Sequence, residues 1–163
     1  MNSTVTLEVL LMNPYYRYKK EKFLEKYQSA YDNLEDLKEA IAEYKKNNSR
    51  IMRRAMFAFF QDFTEYIVDM CESYIIVNDG KLKSSISATG LIDKAWEMGF
   101  FDDKLKGYLS MAVKLRNRYT HDYYIREESE KLIEEFCFNR LAYLDIFLGE
   151  NKDKVILKYK DKE

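Results

Sequence analysis

The sequence predicts an all-α protein, an antiparallel bundle of four to five helices joined by short loops. Three observations carry that expectation. Apolar residues recur at steps of three and four through most of the chain. No segment alternates with period two for long enough to make a sheet. The 163 residues include only 5 Gly and 1 Pro, which excludes collagen-like, Pro-rich and turn-dense all-β chains. With 47% hydrophobic residues, the chain can bury a core without disulfides or a structural metal.

Pro14 marks the end of a leader, residues 1–15, that is irregular or briefly extended. The leader has no basic start and its apolar run is broken by Glu8, so it does not read as a signal peptide. From Tyr16 to about Asn47, the residues Phe23, Tyr27, Tyr31, Leu34, Leu37, Ile41 and Tyr44 share one face of a long helix. Asn47, Asn48 and Ser49 form a break, with Ser49 placed to cap the next helix. That second helix carries a stripe of Met52, Met56, Phe59, Phe63, Ile67, Met70, Tyr74 and Val77, expected as core or as an oligomer interface. Asn78-Asp79-Gly80 ends it as a turn, and a loop containing Ser84, Ser85 and Ser87 follows.

A short helix is expected over Leu91 to Met98, stopped by Gly99. Asp102 or Asp103 then caps a helix through Leu105, Leu109, Ala112, Leu115 and Tyr119. One last long helix is expected from about Glu127 to Gly149. The bundle thus occupies residues 16–149, and 150–163 form a charged tail.

The balance of 27 Lys and Arg against 28 Asp and Glu excludes a chain that coats nucleic acid over its whole surface. Any RNA contact must be local. Cys71 and Cys137 sit inside apolar helical patterns without zinc or disulfide spacing, as buried thiols of a reducing compartment do. No apolar run approaches the length of a membrane span. A cytoplasmic protein without membrane contact is expected.

Phosphate loops, zinc-protease motifs, CxxC and GxSxG are all absent, and one His cannot build a multi-histidine metal centre in one subunit. No metal and no cofactor are expected. Chemistry can gather only around Lys114 to Tyr124, where the single His121 stands near Arg116, Asn117, Arg118 and Tyr123. On a regular helix Arg116 and His121 lie about 140° apart, so they meet only if the helix bends or ends, or if a second subunit supplies one of them. Asn117 and His121, four apart, could share a ligand, and Arg118 and Asp122 could form a surface ion pair.

Imidazole suits proton transfer near neutral pH. A guanidinium suits phosphate and the charge that builds on a phosphorane. Together they could cleave RNA without a metal by helping the 2′-hydroxyl attack the adjacent phosphate. One His cannot easily serve as both base and acid, and a dimer that pairs two His121 side chains removes that difficulty. Composition and spacing alone favour the plainer assignment, in which His121 is a hydrogen-bonded helix-end residue and Arg116 a surface charge.

The run Arg116-Asn117-Arg118-Tyr119-Thr120-His121-Asp122-Tyr123 resembles the R-N-x-x-x-H-x-Y signature of HEPN domains, in particular the HepT-like branch. Thr120 stands where that branch commonly has an aliphatic residue. From about Met52 to Cys137 the order of elements is also similar: long helix, Ser-containing loop, short helix ending in Gly, motif helix, closing helix. The resemblance implies a homodimeric bundle whose two motifs line one cleft. It implies a metal-independent endoribonuclease serving as the toxin of a toxin–antitoxin pair. Arg116 and His121 would be its catalytic residues, with Asn117 beside them. The implied partners are RNA and a minimal nucleotidyltransferase (MNT) antitoxin able to transfer AMP to Tyr123, although the adjacent Tyr124 leaves that acceptor open. Lys104, Lys106, Lys114 and Arg126 could form a basic rim. A second possibility is a non-catalytic HEPN module that partners a nucleotidyltransferase and holds its nucleotide or polymer substrate.

Overall fold

The chain is described from a computed structural model, which covers residues 14–78 and 81–151, with side chains from residue 21 onward. The expected leader up to residue 13 and the tail from residue 152 lie outside the described residues. Among the described residues there are six α-helices: α1 (Pro14–Asn47), α2 (Arg50–Val77), α3 (Ala88–Glu97), α4 (Asp103–His121), α5 (Arg126–Asn139) and α6 (142–151). A single 3₁₀ turn, Tyr123–Ile125, joins α4 to α5. Among the described residues there is no strand.

Local sequence accounts for most of the boundaries. Asn48 adopts a φ of 51°, a left-handed conformation that Asn tolerates, and its N–H reaches the Tyr44 carbonyl at 2.7 Å to close α1. Ser49 then caps α2 by accepting from the Met52 N–H at 3.3 Å. The α3 helix starts at Ala88, earlier than expected, because Ser87 caps it through the Gly90 N–H. Gly90 is needed there, since a Cβ would come within 2.9 Å of Ile86 Cγ1. Gly99 turns the chain at a φ of 87°. Asp102 is the cap of α4, accepting from the Leu105 N–H at 2.8 Å. Its neighbour Asp103 accepts from Trp96 Nε1 instead.

The one long closing helix is corrected to two. The α5 helix stops at Asn139, and the turns Tyr143 N–H to Arg140 O and Leu144 N–H to Leu141 O start α6. Leu144, Phe147 and Leu148 of α6 are all buried.

The α2 helix is the centre of the molecule, packing against α1, α3, α4 and α5. Phe60, Phe63, Ile67, Met70 and Ile75 are fully buried along it, so its Met and Phe stripe is core. Phe60 meets Phe136 of α5 edge-on at 5.5 Å, and Tyr74 stacks on Phe100 at 4.2 Å while donating to the Met98 carbonyl. Polar clamps fix the outer helices. Asn33 of α1 donates to the Phe59 carbonyl at 2.9 Å, Lys38 of α1 pairs with Asp145 of α6 at 2.7 Å, and Arg53 of α2 pairs with Glu130 of α5 at 3.0 Å.

Both cysteines are free and buried. Burial raises the Cys71 thiol far above its ordinary range and pushes Cys137 up to about 12, so both stay protonated at pH 8. Iodoacetamide at that pH should leave both unmodified in the native protein and label both in urea, as read by intact mass. Phe60→Ala should cost about 3–5 kcal/mol in chemical denaturation, because the ring fills the junction of α2 and α5.

Candidate active site

The last turns of α4 carry the candidate residues, and their places follow from which faces of the helix the bundle covers. Leu105, Leu109, Ala112 and Val113 are buried. Arg116 continues that inward side, one turn beyond Val113, and is half-buried with its side chain 27% exposed. A cation in that position requires an acceptor. Glu65 of α2 supplies one, with Oε1 at 2.9 Å from Arg116 Nη2, and Asn117 Oδ1 supplies another at 3.2 Å from Nη1. Arg116 Nε is buried and has no hydrogen-bond partner among the described residues.

This contact belongs to an antiparallel register between α2 and α4. Thr120 Oγ1 lies 3.5 Å from Gln61 Oε1, Arg116 meets Glu65, and Val113 and Val68 line one cavity. The partners advance by four and then three residues along α2 while falling by four and then three along α4. That is the step of one helical face on each side. The cavity beside Arg116, of about 270 Å³, is also lined by Thr64, Asp69 and Ala88.

His121 stands elsewhere. Because α4 stays helical through His121, the imidazole lies about 140° round the axis from Arg116 and about 7.5 Å further along it. It is exposed, and among the described residues no hydrogen bond or ion pair holds it. Arg116 and Asn117 are therefore brought together, and His121 is not joined to either within one chain. Asn117, which could have shared a ligand with His121, turns to the guanidinium instead.

Beyond His121 the helix closes with the Asp122 N–H on the Arg118 carbonyl, and the Ile125 N–H returns to the Asp122 carbonyl. This turn carries Tyr123 and Tyr124 into solvent, 70% and 87% exposed. Arg126, in the first turn of α5, lies 4.7 Å from the ring centres of both Tyr119 and Tyr123, and its Nη2 donates to the Tyr119 carbonyl. Tyr123 is thus gripped on one face of its ring. The expected pairing of Arg118 with Asp122 is replaced by a 3.9 Å approach of Arg118 to Glu128 of α5, because Asp122 has left the helix.

The expected basic rim separates into parts. Lys104 lies some 17 residues before His121, about 25 Å along the helix, and sits over the Tyr143 ring. Lys106 sits over Trp96 and lies 3.5 Å from Asp93. Arg126 adjoins the motif. Lys114 lies seven residues before His121, about 20° from it round the axis, and lines a groove of about 820 Å³ with Trp96, Ser110 and Arg118. Among the described residues no group of three or more His, Cys, Asp and Glu side chains could hold a metal ion. No described helix is long and apolar enough to cross a membrane.

The profile of the family described as ribonuclease HepT-like matches residues 27–148. The chain belongs to the HepT-like ribonuclease family. The match begins inside α1 and ends inside α6, so the family architecture includes the first helix, which the resemblance beginning near Met52 had left out. Neither the curated proteins nor the solved structures contain a match.

Sequence reasoning missed two residues that contact the candidate motif, Glu65 and Gln61. Their signal is faint: two polar residues four apart beside the apolar stripe of α2, 51 and 59 residues from their partners. With Arg116 and Glu65 side chains 27% and 58% exposed, the ion pair is well solvated. Glu65→Ala should therefore lower unfolding stability by no more than about 1 kcal/mol in urea titration.

Proposed function

We propose that this HepT-like chain is a metal-independent endoribonuclease, the toxin of a HEPN/MNT toxin–antitoxin pair, acting in the cytoplasm as a homodimer. One observation supports the reading most: Arg116 is oriented by two acceptors at its terminal nitrogens, while His121 presents to solvent an imidazole with no partner among the described residues. Each terminal nitrogen of the guanidinium keeps a second N–H for a phosphate.

In the proposed reaction an imidazole of His121 takes the proton of the ribose 2′-hydroxyl. The 2′-oxygen attacks phosphorus, the bond to the 5′-oxygen breaks, and the leaving oxygen receives a proton. The products are a 2′,3′-cyclic phosphate and a 5′-hydroxyl. Arg116 neutralises the charge that builds on the non-bridging oxygens. The separation of Arg116 from His121 within one chain favours a cleft shared by two subunits. There a partner's motif could complete the site, and two imidazoles could divide the roles of base and acid. The groove that runs up α4 toward His121 offers Lys114 and Arg118 to the RNA backbone.

Tyr123 is the proposed AMP acceptor for an MNT antitoxin. Its hydroxyl sits on an exposed ring two residues from His121, so an added AMP would bring bulk and negative charge to the phosphate-binding cleft. The competing reading, a non-catalytic module holding a nucleotidyltransferase's substrate, draws on Glu65, which already partly offsets the Arg116 charge.

Labelled RNA incubated in EDTA with folded, unmodified protein decides between the two. Wild type should cleave to cyclic-phosphate ends, and His121→Ala should lose at least about a hundredfold in rate. RNA bound but uncut by both proteins would transfer the assignment to the binding module. Co-expression with an MNT-type nucleotidyltransferase should add one AMP to wild type and none to Tyr123→Phe, read by intact mass.

A further inference from the structure

The reactive group of the proposed site that is tied most firmly to the bundle is Arg116, and what ties it is a residue outside the motif. Arg116 could reach solvent in many rotamers, since an arginine has four rotatable side-chain bonds. Two acceptors remove that freedom. Asn117 takes Nη1 from the same helix, and Glu65 takes Nη2 from α2, the central helix of the bundle. Two contacts at different terminal nitrogens fix the plane of a rigid guanidinium as well as its position.

We infer that Glu65 is a positioning residue of the ribonuclease site: its carboxylate holds the Arg116 guanidinium so that the remaining N–H donors of its terminal nitrogens point to the scissile phosphate. The inference rests on the ribonuclease reading above and adds to it a residue from α2.

Three features separate this role from that of an ordinary surface ion pair. The contact lies in a register, one turn from Thr120 with Gln61 and one turn from Val113 with Val68, so the carboxylate is delivered by packed helices rather than by a loop. Glu65 engages a single terminal nitrogen, which leaves donors unused. A carboxylate that closed a bidentate fork would compete with phosphate for the same edge. Finally, the Nε–H is buried without an acceptor among the described residues, so the orientation of the guanidinium depends on its two terminal contacts.

The opposing possibility is a latch, in which Glu65 mimics substrate and must leave before RNA binds. The two roles differ in sign. As a positioning residue, Glu65 contributes to turnover. Glu65→Ala should then lower kcat at least about tenfold while changing KM by less than about threefold, since a misaimed donor costs most in the transition state. Glu65→Gln keeps an oxygen acceptor and should retain kcat within about threefold of wild type, a rescue that a merely structural role would not give. A latch predicts the reverse, with Glu65→Ala as fast as wild type or faster and with lower KM. That result overturns the inference, as does a Glu65→Gln variant no better than Glu65→Ala.

A second readout stands apart from catalysis. The Arg116 Nε–Hε resonance, assigned by its loss in Arg116→Lys, should be distinct and slow to exchange in wild type and in Glu65→Gln. It should merge with the solvent-averaged arginines in folded Glu65→Ala. If wild type cleaves no RNA, the ribonuclease reading fails and this resonance still judges the grip. An unchanged resonance in Glu65→Ala overturns it.

Discussion

The rest of the structure depends on one central helix, α2. It meets four other helices, so a polar group on its buried faces needs a defined partner. Thr64 and Ser73, both buried, satisfy their hydroxyls on carbonyls of their own helix, Gln61 and Asp69. Arg53 reaches α5, and the Phe59 carbonyl receives Asn33 of α1. Gln61 and Glu65 are the polar groups turned toward α4, and they mark where the apolar contact between the two helices gives way to chemistry. The α2–α4 register that packs Val68 near Val113 therefore also decides where a guanidinium can be held.

Much of the fold was legible because its signals are local. Asn48, Ser49, Asn78, Gly99 and Asp102 stop or start helices through side chains and dihedrals within a few residues of themselves. The break between α5 and α6 left no such trace, because Ile133, Cys137, Leu141, Leu144 and Leu148 keep steps of three and four that one continuous helix also satisfies. The start of α3 was hidden by Ser87, which reads equally as a loop serine or a cap until the Gly90 N–H is seen to reach it.

The site was legible as a string of residues and not as an arrangement. Arg116, Asn117 and His121 stand out in one helix, and their angular spacing was already correct in the sequence. What spacing cannot carry is the identity of partners far along the chain. Glu65 lies 51 residues from Arg116, and Glu128, not Asp122, approaches Arg118 because the helix ends before Asp122. Nor can periodicity tell that Asn117 would turn toward Arg116 rather than toward His121.

The two halves of the motif also differ in stiffness. Arg116 is held to the central helix by its contact with Glu65. His121 is the terminal residue of its helix, where hydrogen bonding is least cooperative and opening occurs at low free energy. The guanidinium thus faces the centre of the bundle, and the imidazole stands in solvent where its helix stops. Under the proposed function, the group that meets the phosphate would be set by helix packing, and the group that moves the proton by the end of a helix.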